Sequence, residues 1–281
     1  MFYVLIINVC ISNLGLRKEI ATFELAIEKK MDPKTLIIRF TGAPDAENLP
    51  EITGGTLLDC RDLEGTNCYC DPAAEAVLAR RFSGFPVHAV HWIDTGDYHY
   101  CSKLWTDRMD GPFDLVVADN HPDMQVPAFG DILSCGGWVR KAMEGNPFLR
   151  EVWIVGIDPA LKGECGGFGD RVHVVDRDAV GNLEPEAVAA CLSGRPAYLS
   201  VDRDVLARDF ARTDWDQGTM TLDWLCRFAA RLGRNIAGVD ICGAVTTEKG
   251  GTAEDFSVNR ATARRLHELF SLYFKDFYVS L

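Results

Sequence analysis

Short apolar runs recur along this chain with helix-forming stretches between them, and that alternation restricts the fold more than any single residue. A parallel sheet covered by helices on both faces is the arrangement that buries such runs completely. The runs at residues 35–40, 56–59, 87–93, 113–118, 152–157, 172–175, 197–201 and 236–241 read as strands. Helices are expected at 72–82, 133–144, 185–192, 221–232 and 253–274, with Pro72 and Pro185 suited to a first helical turn. The expected fold class is α/β, three layers α-β-α around an approximately eight-stranded, mostly parallel sheet.

In such sheets ligands sit beyond the carboxyl ends of the strands. The run at 113–118 leads directly into Asp119-Asn120-His121-Pro122-Asp123. If extended geometry persists through Asp119, then Asp119, His121 and Asp123 project to one side, because alternate strand residues share a face. Two carboxylates and an imidazole suit a divalent metal of intermediate hardness, Mn, Zn or Fe, better than a proton-transfer dyad. Two other runs end in the same way: Asp94-Thr95-Gly96-Asp97-Tyr98-His99 follows 87–93, and Asp202-Arg203-Asp204 follows 197–201. His99, Asp119, His121, Asp123, Asp202 and Asp204 are therefore the candidate metal ligands. Four carboxylates gathered in a water-poor cleft repel one another unless positive charge offsets them, and two divalent cations would supply it. Between two such cations a water loses a proton near neutral pH and becomes a nucleophile.

Composition narrows the partner. The 281 residues are 47% hydrophobic and 25% charged, ordinary for a globular chain, and read as a single domain at 31–281 preceded by an N-terminal extension at 1–30. A formal net charge of -12 argues against a nucleic-acid or anionic-membrane surface, which needs clustered Lys and Arg. A small-molecule substrate is expected, with no nucleic acid and no membrane, and a homo-oligomer is compatible with this. Residues 2–11 resemble the apolar core of a signal peptide but lack a preceding basic residue and a following small-residue cleavage site. Ten Cys are too sparse for a disulfide scaffold, and Cys191, Cys226 and Cys242 fall in apolar segments, so a reducing cytoplasm is expected.

In order and spacing these motifs resemble the arginase/agmatinase family of ureohydrolases, within the wider arginase and histone deacetylase superfamily. The likeness runs from about Leu57 to the C-terminus. Gly96-Asp97-Tyr98-His99 resembles the family's G-G-D-H with one residue shifted, Asp119 to Asp123 its D-x-H-x-D, and Ser200-Val201-Asp202-Arg203-Asp204 its S-x-D-x-D. Gly238-Val239-Asp240-Ile241 is similar to its late strand. The resemblance implies an arginase-like domain with two Mn2+ ions, one held by His99, Asp119, Asp123 and Asp202, the other by His121, Asp119, Asp202 and Asp204. It implies hydrolysis of a linear C–N bond, in a guanidine, amidine or amide, by a metal-bridging hydroxide, with Asp119, Asp202 and His99 as catalytic residues.

Departures from the pattern fall on the substrate side. The Glu that binds guanidinium in the family is replaced by Gly243, and the His of a His-Gly pair that shuttles protons by Cys135, before Gly136. Glu248 stands close enough in sequence to substitute for the missing Glu. Asp97 or His91 could assist proton transfer. Asp214, Trp215, Asp216 and Gln217 lie in a loop that borders the substrate pocket in the family, and with Cys135 they are the expected substrate-binding residues. Cys68-Tyr69-Cys70 follows a strand and could border the same pocket, or form an ordinary turn. Two rival readings are a zinc-dependent deacetylase of small acylated amines and a non-catalytic descendant that binds a metal or ligand.

Overall fold

Each of the eight apolar runs became a strand of one sheet. The computed structural model describes residues 32–127, 130–192 and 194–274, and the extension expected at 1–30 lies outside them. Its strands are β1 (Asp32–Arg39), β2 (Gly55–Asp59), β3 (Tyr69–Cys70), β4 (Val90–Trp92), β5 (Phe113–Ala118), β6 (Leu133–Ser134), β7 (Leu149–Ile157), β8 (Val172–Asp176), β9 (Ala197–Asp202) and β10 (Ile236–Cys242). All but β3 and β6 form a sheet of order β2-β1-β4-β10-β9-β5-β7-β8. Every pairing in it is parallel. The chain thus leaves β4, builds β5, β7 and β8 further out, and returns to insert β9 and β10 between β4 and β5. That reversal opens a crevice at the carboxyl ends of the four central strands.

Helices α1 (Ala43–Ala46), α2 (Leu49–Thr53), α3 (Pro72–Phe82), α4 (Cys101–Thr106), α5 (Trp138–Gly145), α6 (Arg177–Val180), α7 (Pro185–Ala190), α8 (Leu222–Leu232) and α9 (Ala253–Ser271) complete the layers. On one face Leu78, Trp105 and Trp138 pack with Leu115 and Val117 of β5. On the other, Phe228 and Leu266 pack with Val116 and Ala118 of the same strand. Burial on both faces explains why β5 is apolar at nearly every position rather than alternating. Helix α3 starts where Asp71 accepts the Ala73 and Ala74 amides at 2.9 and 2.8 Å, and α9 where Thr252 and Asp255 form a capping box.

The helix expected at 133–144 begins only at Trp138. Leu133 and Ser134 pair antiparallel with Cys70 and Tyr69, and Cys135 to Gly137 make a 3-10 turn. Adjacent glycines at 136 and 137 are poor helix formers, while the Cys135 amide finds a better partner in the Cys68 carbonyl at 2.9 Å. Cys191, expected to be buried, is exposed. Among the described residues no helix is long and apolar enough to cross a membrane.

Behind the end of β9 lies a buried ion pair. The Arg203 guanidinium meets both Glu47 oxygens, at 2.9 and 3.1 Å, and Asn259 Nδ2 donates to Glu47 Oε1 at 2.8 Å. Arg203 Nε also donates to the Cys242 carbonyl at 3.1 Å, tying the end of β9 to that of β10.

Candidate metal centre

The strand ends bring together all six residues singled out in the sequence. His99 Nδ1 lies 3.2 Å from Asp119 Oδ2, 2.9 Å from Asp123 Oδ2 and 3.6 Å from Asp202 Oδ2. His121 Nδ1 lies 2.8 Å from Asp204 Oδ2 and 3.5 Å from Asp119 Oδ1. Asp119 therefore stands between two groups, one oxygen directed at each imidazole. Ligand atoms of His99, Asp119 and Asp123 lie within 4.8 Å of one another, as do those of Asp119, His121 and Asp204. His99 and Asp202 form a further such group with Cys242.

The convergence of the Asp119 triplet does not come from strand alternation. Strand β5 ends at Ala118, and Asp123 has a left-handed backbone, φ 50°, a conformation that is costly for most L-residues and tolerated by Asp and Asn. Its carboxylate reaches His99 through this turn and is fixed there by Trp138 Nε1, which donates at 2.6 Å. The remaining groups are oriented equally firmly. His99 Nε2 meets Ser200 Oγ at 2.8 Å, and Ser200 Oγ donates to Asp240 Oδ1 at 2.6 Å, which leaves Nδ1 to face the carboxylates. Asp204 Oδ1 accepts the Asn120 amide at 3.0 Å, and Asp202 Oδ1 accepts the Asp204 amide at 2.9 Å.

Burial raises the carboxyls of Asp202 and Asp204, and the neighbouring Asp119 charge raises them further. The same two causes push Asp123 to about 6. Burial also opposes charging of the imidazoles, but the facing groups prevail. His121 rises to about 12 against Asp119 and Asp204, and His99 rises well above its usual value beside Cys242, Asp119 and Asp123. Asp119 stays below the ordinary carboxylate range despite its burial, because both imidazoles donate to it. The cluster thus demands positive charge on both sides of Asp119. Nitrogen and oxygen donors in two overlapping groups, sharing a carboxylate, fit two divalent cations of intermediate hardness.

These residues form the floor of a cavity of about 240 Å³ whose walls are Cys68, Tyr69, Gly96, Gln125, Ser134, Cys135, Gly136 and Trp215. The volume falls below the roughly 300 Å³ at which typical ligand pockets begin, so a small occupant is indicated. Trp215 stands edge-on to His121, with ring centroids 5.7 Å apart.

Of the expected substrate-binding residues, Trp215 and Cys135 line this cavity, whereas Asp214, Asp216 and Gln217 do not. Asp214 faces Lys249 at 3.4 Å, Gln217 spends its amide on the Leu206 and Ala211 carbonyls, and Asp216 is exposed. Asp97 is held by Trp215 Nε1 at 3.0 Å and Lys249 Nζ at 2.8 Å. His91 is no proton shuttle: it stacks on Trp105, its Nε2 meets the Pro86 carbonyl at 2.9 Å, and burial pushes it down to about 3. Glu248 is exposed and does not reach the cavity. Gly243 has φ +85°, and a Cβ there would lie 2.2 Å from Asp202 Oδ1, so this backbone cannot present a guanidinium-binding side chain. Sequence reasoning missed Gln125, Ser134, Trp138 and Cys242. Trp138 and Cys242 gave no local signal, since each reads as a core residue.

The order of strands, the crevice and its acidic floor define an arginase-like α/β fold, the fold of the ureohydrolases. Among solved structures, proclavaminate amidinohydrolase from Streptomyces clavuligerus superposes with a TM-score of 0.63 at 16% identity, over 85% of this chain and 94% of that one. Formimidoylglutamase from Bacillus subtilis gives 0.63 at 16% identity, over 86% and 87%. Arginase from Bacillus caldovelox gives 0.62 at 14% identity, over 84% and 97%. No sequence-family profile matches the chain. An uncharacterized protein of Thermotoga maritima is 31% identical over 160 residues, which span 56% of this chain and 59% of that relative, less than two thirds of its length.

Proposed function

We propose that this protein is a hydrolase of the ureohydrolase type that uses two divalent metal ions, most readily Mn2+ or a metal of similar hardness, to break a linear C–N bond in a small guanidine, amidine or amide. The observation that carries the reading is the placement of Asp119, with one oxygen 3.2 Å from His99 Nδ1 and the other 3.5 Å from His121 Nδ1. His99, Asp119, Asp123 and Asp202 would hold one ion, and Asp119, His121 and Asp204 the other. When bound, two such ions supply Lewis acidity and a water acidic enough to act as nucleophile near neutral pH.

The chain's own groups supply the rest. Ser200, Trp138 and the Asn120 amide keep the donors in place, so little reorganisation accompanies binding. Trp215 stands edge-on to His121 in the wall of the pocket, an aromatic surface beside the candidate ligands. Among the described residues, the walls beyond the acidic floor carry no charged side chain. That favours an amidine or amide with a small neutral tail over a substrate with an anchoring cation or carboxylate. The neighbours of this fold named amidinohydrolase, formimidoylglutamase and arginase support the reaction class.

The test is metal analysis of protein purified without chelator, followed by assay of urea and ammonia release across guanidines, amidines and amides with added manganese. Two metals per chain with turnover is the expected result, and Asp119→Ala should lose both. A single zinc with acetate release would point to a deacetylase, metal without turnover to a binding protein, and full metal content in Asp119→Ala would sink the assignment.

A further inference from the structure

We propose that Cys242 is a side-chain donor to the metal of the His99 group, giving that position a thiolate the six-residue cluster lacks and a preference for zinc or ferrous iron over manganese. The inference rests on the two-metal reading above and adds a residue to it.

The register of the central strands places the sulfur there. Cys242 of β10 pairs with Asp202 of β9, and Asp240 with Ser200 one repeat earlier. Because alternate residues share a face, both rungs point at His99. On the lower rung Ser200 takes its Nε2 at 2.8 Å and hands on to Asp240 at 2.6 Å. On the upper rung Cys242 Sγ lies 3.1 Å from Asp202 Oδ2, the oxygen that faces His99 Nδ1 at 3.6 Å. Donor atoms of His99, Asp202 and Cys242 all lie within 4.8 Å of one another. Three donors bound at about 2.0 to 2.3 Å from a common zinc-sized ion span this range.

Cys242 is fully buried, and its contact with Asp202 puts a thiol beside a candidate ligand oxygen. On coordination the thiol proton leaves to solvent, the usual course when Cys binds a divalent metal. A thiolate added to the imidazole and carboxylates around His99 makes that donor set softer than the imidazole and carboxylates of the His121 group. The two positions would then differ in metal preference within one pocket.

Cobalt(II) distinguishes the outcomes, because a thiolate bound to it gives a sulfur-to-metal charge-transfer absorption in the near ultraviolet that nitrogen and oxygen donors do not. The full-length metal-free protein is titrated with cobalt, with bound metal measured by elemental analysis. Wild type should show the band, the Cys68→Ser/Cys135→Ser double variant should keep it, and Cys242→Ser should lose it while still binding cobalt. The zinc-to-manganese preference, from competition, should fall by about tenfold or more in Cys242→Ser, the scale on which groups around a metal tune affinity. Cobalt bound by wild type without the band overturns the thiolate and leaves the two-metal reading standing, with Cys242 only orienting Asp202. Retention of the band in Cys242→Ser also overturns it. No cobalt bound at all overturns both. If Cys242→Ser fails to fold, the wild-type spectrum and that of the Cys68→Ser/Cys135→Ser variant together still decide the question: a band lost in the double variant overturns the assignment to Cys242.

Discussion

Replacing Glu47 with Gln should destabilise the protein strongly without touching the cavity. The change preserves volume but removes the countercharge of Arg203, whose guanidinium is 1% exposed and meets both Glu47 oxygens at 2.9 and 3.1 Å. Breaking a buried pair by removing one partner costs about 3 to 5 kcal/mol, because the surviving charge stays desolvated. For a domain of this size, 1 kcal/mol moves the melting temperature by about 2 to 4 °C, so a fall of about 6 to 20 °C follows. Thermal unfolding followed by circular dichroism on the metal-free protein measures it directly. Arg203 lies between Asp202 and Asp204 and donates to the Cys242 carbonyl, so metal affinity should weaken as well. The double variant Glu47→Gln/Arg203→Met should recover much of the loss, since an apolar residue removes the orphaned charge. A melting temperature for Glu47→Gln within about 2 °C of wild type would refute the reasoning, because no buried charge could then have been left unpaired.

Three further outcomes follow from the geometry. Trp138→Phe removes the 2.6 Å donor to Asp123 Oδ2 and should weaken metal binding about 10- to 100-fold at unchanged stoichiometry, measured by competition with a chromophoric chelator; unchanged affinity would mean that the turn alone positions Asp123. Gly243→Ala places a Cβ 2.2 Å from Asp202 Oδ1 at φ +85°, so both melting temperature and bound metal should fall, and a wild-type metal content would contradict the backbone described. The His91 pKa is lowered to about 3 by burial, so between about pH 6.5 and 3 the unfolded chain takes up a proton that the folded one refuses. Stability should therefore drop as pH falls through that window, at up to about 1.4 kcal/mol per pH unit. His91→Gln should remove that slope from pH-dependent denaturant unfolding, and an unaltered slope would assign it to other groups.

The eight strands were legible because a parallel strand buried on both faces must be apolar throughout, and runs such as Val116-Val117-Ala118 are hard to disguise. The ligands were legible for a related reason: polar residues that follow such runs stand at the carboxyl ends of the strands, beside the crevice, although Asp94 turns instead to the Phe40 and Thr41 amides. Sequence logic nevertheless reached the Asp119 triplet by the wrong route, through alternation, whereas a left-handed turn at Asp123 and the indole of Trp138 bring the third carboxylate in. The helix expected from Leu133 failed because the Cys135 amide pairs with the Cys68 carbonyl, a contact 67 positions away in the chain.

What the sequence determined by itself is the layered α/β class and the six polar side chains at three strand ends, since burial periodicity and ligand chemistry are both local properties. What only the tertiary structure decided is which strands are neighbours. Strands β9 and β10 slot between β4 and β5, and that choice sets Cys242 beside Asp202 and Ser200 beneath His99. It also sets Gly243 hard against Asp202, with no room for a Cβ, and leaves Asp214, Asp216 and Gln217 outside the pocket. Those positions depend on parallel register between segments far apart in the chain, which no local pattern encodes.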